Sequence, residues 1–245
     1  MKLEPNFYKG QIALNCLAKD IENAIEIYEA CEQNAIIGVL SKNYESTTAA
    51  IDDMKHYAKH LNNAVSVGLG AGDPNQCYMV NEIIKEYKPQ HVNQVFTSVA
   101  SARACVNNDA TFINSLISPS GVPGIVKIST GPLSSKEKPA LVDINTAIKM
   151  IIEMGGSSVK FFPMKGLETI EEYKVVCKAC ANANLGIEPT GGITTSNFEQ
   201  ICKIAYDNGV KKIIPHVYSS IIDDDGKTNI DDVKHLYAII KDIVG

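Results

Sequence analysis

One lysine stands in the middle of a short segment that has the composition of a buried strand. The segment 157–164 is β-branched and aromatic, and it ends in a Pro-Met pair. Side chains alternate along a strand, so Lys160 shares a face with Ser158 and Phe162. Burial disfavours the charged form of an ammonium group. Lys160 is therefore a candidate amine nucleophile, and the alternative is a lysine whose head group reaches water.

A second candidate group surrounds a Gly-Gly pair at the end of another apolar segment. The sequence there is Glu-Pro-Thr-Gly-Gly-Ile, and a predicted helix follows directly. Free backbone N–H groups at a helix start favour an anion, and glycines let a backbone approach a ligand closely. The pattern predicts a phosphate site made by Gly191, Gly192 and Ile193, with Ser219 and Ser220 as neighbouring donors.

The spacing of the apolar residues along the chain predicts the fold that positions these residues. Short apolar runs alternate eight times with amphipathic stretches, which predicts a (β/α)8 TIM barrel; a doubly wound open sheet is the alternative. The predicted strands are 11–18, 35–41, 64–70, 91–96, 111–118, 157–164, 185–190 and 211–219. The predicted helices are 21–33, 47–61, 74–87, 98–107, 144–154, 169–182, 197–208 and 230–243.

One segment does not fit this alternation. Residues 119–143 lie between the fifth strand and its helix, and a connection of this length usually has a function or makes contacts. We expect it to form an extra strand and turn over the barrel mouth or to lie at an oligomer contact. No change of composition marks a second domain, so residues 1–245 are predicted to be a single domain.

The parity of the predicted strands indicates which side chains face the barrel lumen. Helices cover the outside of a barrel, so the apolar positions face outward and the polar ones inward. Barrel interiors normally hold branched apolar residues, and polar ones near strand ends indicate an active site. The predicted inward residues include Asn15, Lys42, Ser66, Lys160, Glu188, Thr190, His216 and Tyr218.

Two motifs together carry a resemblance to a known family. Val-Lys-Phe-Phe-Pro around Lys160, with Pro-Thr-Gly-Gly-Ile one strand and helix later, resembles 2-keto-3-deoxy-6-phosphogluconate (KDPG) aldolase. The whole chain is similar to the longer branch of this class I aldolase activity, linked to bacterial amino-sugar acid breakdown. The resemblance implies that Lys160 forms a Schiff base with the keto acid and that Gly191, Gly192 and Ile193 bind phosphate.

The chain departs from the common short form of that family. Gly38 and Lys42 stand where the short form has an acidic residue and an arginine that holds the substrate carboxylate. Glu188 is the candidate replacement for the missing general base, with a structural ion pair to Lys160 as the alternative. Lys42 and Arg103 are the candidates for carboxylate binding. The other lumen residues expected to contact substrate are Thr190, His216 and Asn15.

The expected reaction is cleavage of 2-dehydro-3-deoxy-6-phosphogluconate to pyruvate and glyceraldehyde 3-phosphate. The resemblance implies no cofactor and no metal. One alternative is a phosphosugar isomerase or epimerase in which Glu188 and His216 exchange protons. The other is a non-catalytic protein that binds a sugar phosphate.

Charge and cysteine content limit the remaining classes. A net charge of −5 argues against nucleic acid and anionic membranes as partners. No apolar run reaches transmembrane length, and the first ten residues lack the apolar core of a signal peptide. Seven scattered cysteines indicate reduced thiols. We therefore expect a cytoplasmic enzyme with a phosphorylated keto-acid substrate, and a homo-oligomer.

Overall fold

A computed structural model describes residues 2–245, in which strands and helices alternate along the chain. The strands are β1 (Leu14–Leu17), β2 (Ala35–Leu40), β3 (Val65–Gly68), β4 (His91–Val95), β5 (Phe112–Pro119), β6 (Ile125–Lys127), β7 (Leu141–Asp143), β8 (Ser158–Phe161) and β9 (Gly186–Pro189). The helices are α1 (Ile21–Ala30), α2 (Thr47–His60), α3 (Cys77–Glu86), α4 (Val99–Val106), α5 (Ile144–Glu153), α6 (Ile170–Asn182), α7 (Phe198–Asp207) and α8 (Ile230–Val244).

Seven of the strands pair in parallel in the order β1, β2, β3, β4, β5, β8, β9. The segment 213–216 occupies the eighth position and closes the ring. It forms isolated parallel bridges on both sides, Ile213 with Ile12 and Ile187, and His216 with Asn15 and Thr190. The (β/α)8 barrel is confirmed. The eighth position is not a regular strand, and Pro215 within it has no N–H to give to a ladder.

The apolar residues predicted to face outward pack beneath the helices. Ile37, Phe161 and Ile187 are fully buried, and the Phe161 ring stacks on Tyr173 of α6 with 6.1 Å between centroids. Burial of each such side chain stabilises the fold by ~1.5–3 kcal/mol. Helix α1 begins at the expected residue, because Asp20 accepts a hydrogen bond from the Asn23 backbone N–H at 2.9 Å. This packing leaves the polar faces of the strands directed into the lumen.

Residues 119–143 extend the sheet beside the barrel mouth. β6 and β7 run antiparallel to each other, and β6 pairs with the end of β5. The segment is fixed by Thr130, whose hydroxyl donates to the Leu116 carbonyl at 3.0 Å and accepts from the Phe96 N–H at 2.9 Å. Leu133 within it is 75% exposed. A role in an oligomer contact stays a prediction.

Two further expectations concern the whole chain. In residues 2–245 no helix combines the length and apolar character that crossing a bilayer requires. All seven cysteines are free thiols, in agreement with the pattern of their spacing.

Candidate active site

Lys160 lies at the centre of the site, on β8. Its Nζ donates to Asn93 Oδ1 at 2.8 Å and lies 3.3 Å from His216 Nδ1. The amine faces a pocket at the carboxyl ends of the strands, the end of a barrel at which active sites lie. The lining residues are Leu40, Gly68, Leu69, Gly70, Ala71, Gly72, Asn93, Leu116, Lys160, Phe162, Thr190 and Tyr218.

The environment of Lys160 favours its neutral form. Burial lowers the pKa of Lys160 to about 8, although the negative charge of Glu188 acts in the opposite direction. A lysine desolvated in this way keeps an appreciable fraction of nucleophilic amine near neutral pH. The position and the pKa together suit an amine that adds to a carbonyl group.

Glu188 on β9 is fully buried and surrounded by hydrogen-bond donors. Its carboxylate accepts from His216 Nε2 at 2.8 Å, His91 Nε2 at 3.0 Å, Asn114 Nδ2 at 2.6 Å and Ser158 Oγ at 2.5 Å. Burial alone would raise the pKa of Glu188, but the two histidines outweigh it and hold the pKa well below its usual range. A carboxylate with four donors is a poor proton acceptor.

Neither role expected for Glu188 agrees with this geometry. The carboxylate does not line the pocket, so it is not placed to act on a substrate as general base. Its imidazole contacts are hydrogen bonds from His91 and His216, whereas Lys160 hydrogen-bonds to Asn93 and His216. We therefore revise the interpretation: Glu188 orients His216, which in turn contacts the lysine.

His216 is held in one tautomer by this contact. The Glu188 carboxylate accepts at His216 Nε2, so the hydrogen is on Nε2 and the lone pair is on Nδ1. Burial and the neighbouring charge of Lys160 lower the pKa of His216 to about 3, against the opposing effect of Glu188. The Nδ1 lone pair faces Lys160 and also the Tyr218 hydroxyl at 2.9 Å, which in turn contacts Asn15 Oδ1 at 3.1 Å.

His91, Glu188 and His216 also have the spacing of a metal site. One ligand atom from each lies within 4.8 Å of the others. Two imidazoles and one carboxylate are ligands that several transition metals accept. Here each imidazole Nε2 donates to Glu188, so its hydrogen rather than its lone pair faces the carboxylate. Hydrogen bonding thus accounts for the arrangement of the cluster.

Backbone amides converge at the other end of the site, beyond β9. Five backbone N–H groups at this end of the site donate to no protein acceptor within residues 2–245. They belong to Gly191, Gly192, Ile193, Ser219 and Ser220, the residues expected to bind phosphate. The Ser220 hydroxyl donates to the Ile193 carbonyl at 2.7 Å and joins the two loops. The five N–H groups are available to an anion near the start of α7.

The structure gives a different reason for the two glycines than the one expected. Gly191 and Gly192 have φ values of +98° and +71°, which favour glycine. A Cβ at Gly192 would overlap the backbone nitrogen of Gly166, and one at Gly191 would lie 3.2 Å from the Phe162 ring. The close approach to neighbouring protein atoms therefore requires glycine at both positions, and the expected approach to a phosphate stays a prediction.

The remaining expected residues lie at the rim and wall of the pocket. Lys42 is exposed, and its methylene groups lie against Gly70, which lines the pocket. Thr190 lines the pocket too, and its hydroxyl donates to the Glu188 carbonyl at 3.2 Å. Lys42 can thus extend an ammonium group over the pocket mouth, and Thr190 forms part of its wall.

Comparison with known proteins agrees with the fold and with the two motifs. Residues 8–225 match the family described as KDGP aldolase. The chain belongs to this family. It is also 43% identical over 244 residues to the 2-dehydro-3-deoxy-phosphogluconate aldolase of Salmonella typhimurium strain 14028s / SGSC 2262, with 98% of each chain covered.

Solved structures with low sequence identity share the barrel fold of this chain. A mutant tryptophan synthase α-subunit from Pyrococcus furiosus gives a TM-score of 0.57 at 12% identity, covering 98% of this chain and all of that one. TrpF from Jonesia denitrificans gives 0.56 at 10% identity, covering 95% and 98%. The carboxyl transferase domain of Rhizobium etli pyruvate carboxylase with pyruvate gives 0.53 at 11% identity; 96% of this chain is covered, but it spans about half (47%) of that chain.

Arg103 does not reach the candidate active site. Its guanidinium donates to the carbonyls of Gly155, Asn108 and Thr111, at 2.6–3.0 Å, and to Ser157 Oγ at 3.1 Å. These partners precede β5 and β8, at the amino-terminal end of the barrel, opposite the pocket. The expectation that Arg103 binds a substrate carboxylate was therefore wrong.

Three residues of the candidate active site were missed in the sequence. They are His91 and Asn93 on β4 and Asn114 on β5, all buried and hydrogen-bonded within the lumen network. The signal was present in the alternation along β4, where His91 and Asn93 flank the fully buried Val92. Parity applied to β4, as it was to β8 and β9, identifies both residues as inward.

Proposed function

We propose that the protein is a class I aldolase that cleaves 2-dehydro-3-deoxy-6-phosphogluconate to pyruvate and glyceraldehyde 3-phosphate. The observation that carries the proposal is Lys160, an amine with a pKa of about 8 that faces a pocket at the carboxyl ends of the barrel strands. The family of the chain and the printed name of its Salmonella relative support the same reaction.

The chemistry follows from the position of the amine. Neutral Lys160 adds to the C2 ketone of the substrate, and loss of water gives an iminium ion. The iminium accepts the electron pair of the C3–C4 bond as that bond breaks, and a base removes the proton of the C4 hydroxyl. Asn93 Oδ1, 2.8 Å from Nζ, directs the amine into the pocket.

The two anionic ends of the substrate have separate partners in this proposal. The phosphate lies at the free amides of Gly191, Gly192 and Ile193, with those of Ser219 and Ser220 opposite. The carboxylate lies toward Lys42 and the turn at Gly68–Gly72, because both border the pocket on the other side. A glycine-rich turn with free N–H groups and a nearby ammonium suits a carboxylate.

The isomerase alternative finds less support. It requires Glu188 and His216 to exchange protons with a substrate, whereas Glu188 is enclosed by four donors and does not line the pocket.

We also propose, from the sequence, that the protein acts in the cytoplasm and as a homo-oligomer. The seven free thiols are in keeping with a reducing compartment.

Reductive trapping tests the proposed function. Incubation with pyruvate and borohydride is expected to add one reduced pyruvate per chain, located by peptide mapping at Lys160. Lys160→Met removes the amine and keeps the length of the side chain, so it should show no adduct and no turnover. Lys178→Met, at an exposed position on α6, is the matched control and should be labelled normally. An unlabelled wild-type protein that still cleaves the substrate would exclude the Schiff-base mechanism.

A further inference from the structure

We propose that the Tyr218 hydroxyl carries protons between the substrate and His216, and that Glu188 positions His216 for this role. The inference rests on the proposed aldolase function and deepens it, because it assigns the proton carrier that the reaction needs.

Two buried groups behind the pocket could accept a proton, the Glu188 carboxylate and the His216 imidazole. Glu188 is enclosed by four donors and does not line the pocket, so its carboxylate has no contact with the groups that face the substrate. His216 directs its Nε2–H at Glu188 Oε2, 2.8 Å away, so the basic lone pair is on Nδ1. The groups that face His216 are Glu188, Lys160, Tyr218 and the more distant His91 ring, with 6.0 Å between ring centroids.

A group that exchanges protons with the substrate must line the pocket. His216 is 2% exposed and does not line the pocket, so a ligand cannot contact its Nδ1 directly. Tyr218 does line the pocket, and its oxygen lies 2.9 Å from His216 Nδ1. The phenol thus stands between the base and the space where a substrate binds.

Tyr218 has the hydrogen-bonding arrangement of a relay. Its single proton has two acceptors within reach, Asn15 Oδ1 at 3.1 Å and His216 Nδ1 at 2.9 Å. Rotation about the C–O bond moves the proton from one to the other. Burial raises the pKa of Tyr218, so the phenol stays protonated between transfers. It therefore accepts one proton as it gives up another.

The proton balance closes over the reaction. When the C3–C4 bond breaks, the C4 hydroxyl proton moves to the Tyr218 oxygen, and the phenol proton moves to His216 Nδ1. The electron pair of the bond enters the iminium at Lys160 and gives an enamine, and the aldehyde leaves. The proton then returns from His216 through Tyr218 to C3 of the enamine. Water hydrolyses the resulting pyruvate iminium and restores the free amine.

Exchange of the pyruvate methyl protons isolates this step. In D₂O the wild-type enzyme should exchange them, as followed by ¹H NMR, because enamine formation needs only the Schiff base and the relay. Tyr218→Phe is expected to lower the exchange rate by ~10²–10⁴. The final extent of pyruvate trapping at Lys160 should stay that of wild type. Tyr78→Phe, at a position 64% exposed on α3, is the matched control and should exchange normally.

The outcomes separate this inference from the proposed function. Wild-type exchange by a folded Tyr218→Phe that still traps pyruvate overturns the relay alone. Absence of both trapping and exchange in wild type overturns the aldolase function. If Tyr218→Phe does not fold, His216→Gln is tested in its place. Its glutamine can still donate a hydrogen bond to Glu188 but lacks the basic imidazole nitrogen. Lost exchange with trapping retained supports the relay, and exchange at the wild-type rate refutes it.

Discussion

Schiff-base formation at Lys160 should depend on pH in a way that an ordinary lysine does not. Burial lowers the pKa of this amine from 10.5 to about 8. Only the neutral amine attacks a carbonyl, so the rate of adduct formation follows the neutral fraction. The experiment therefore varies the pH between 6 and 9.5.

The size of the effect follows from the two pKa values. At pH 7 about one-tenth of an amine with a pKa of 8 is neutral, compared with about one in three thousand for a pKa of 10.5. Pyruvate should therefore add about 300-fold faster at pH 7 than it would to an unperturbed lysine of equal nucleophilicity. The shift corresponds to about 3 kcal/mol of disfavoured charge on Lys160.

The assay measures the initial rate of pyruvate labelling with excess cyanoborohydride, followed by intact mass. The rate should rise about tenfold between pH 6 and pH 7, reach half of its maximum near pH 8 and then level off. The labelling rate of Lys160→Met measures the reaction of all other lysines, and it is subtracted from the wild-type rate. A rate that still rises tenfold per pH unit from 8 to 9.5 would show that the lumen does not desolvate the amine, and the reasoning from burial would fail.

Two further substitutions test the supports of the site. In Glu188→Gln an NH₂ group replaces one carboxylate oxygen, and this group cannot accept a hydrogen bond. His216 should therefore lose its fixed tautomer. Turnover should fall by ~10²–10⁴ and stability by about 1–3 kcal/mol, with pyruvate still trapped; near-normal turnover would remove Glu188 from the mechanism. Gly192→Ala should lower Tm more than Gly121→Ala does. Both glycines have positive φ, but a Cβ at Gly121 meets nothing within 4 Å, whereas at Gly192 it meets Gly166. Equal losses of Tm in the two variants would show that the loop with Gly192 can move away from the loop with Gly166 at no cost in stability.

Much of the fold followed from patterns that are local in sequence. Seven of the eight predicted strands and all eight predicted helices coincide with elements of the structure, because each apolar run is long enough to show its period and is bounded by turn residues. Parity then placed Lys160, Glu188 and Asn15 in the lumen, since the outside of a barrel is apolar. The irregular eighth position was not predictable from period, because Pro215 breaks the ladder without changing the apolar pattern.

The roles of the site residues depended on contacts that a sequence does not contain. Glu188 was predicted to act as a base because its face was known, but its four donors come from three other strands and the 213–216 segment. Arg103 was a candidate because of its charge. Whether a helical arginine points to the mouth or the base of a barrel is decided by which carbonyls lie near it, and these come from elements far along the chain.

The position of Arg103 has a consequence for how inhibitors would be recognised. The chain has one arginine, and it is built into the base of the barrel. Any side-chain cation of this chain that meets an anionic ligand is then a lysine or a histidine. An ammonium group is a compact charge without the planar fork that matches a carboxylate, so it selects weakly for ligand shape. Replacement of a planar carboxylate by a tetrahedral phosphonate or sulfonate should therefore cost less affinity here than at a guanidinium clamp.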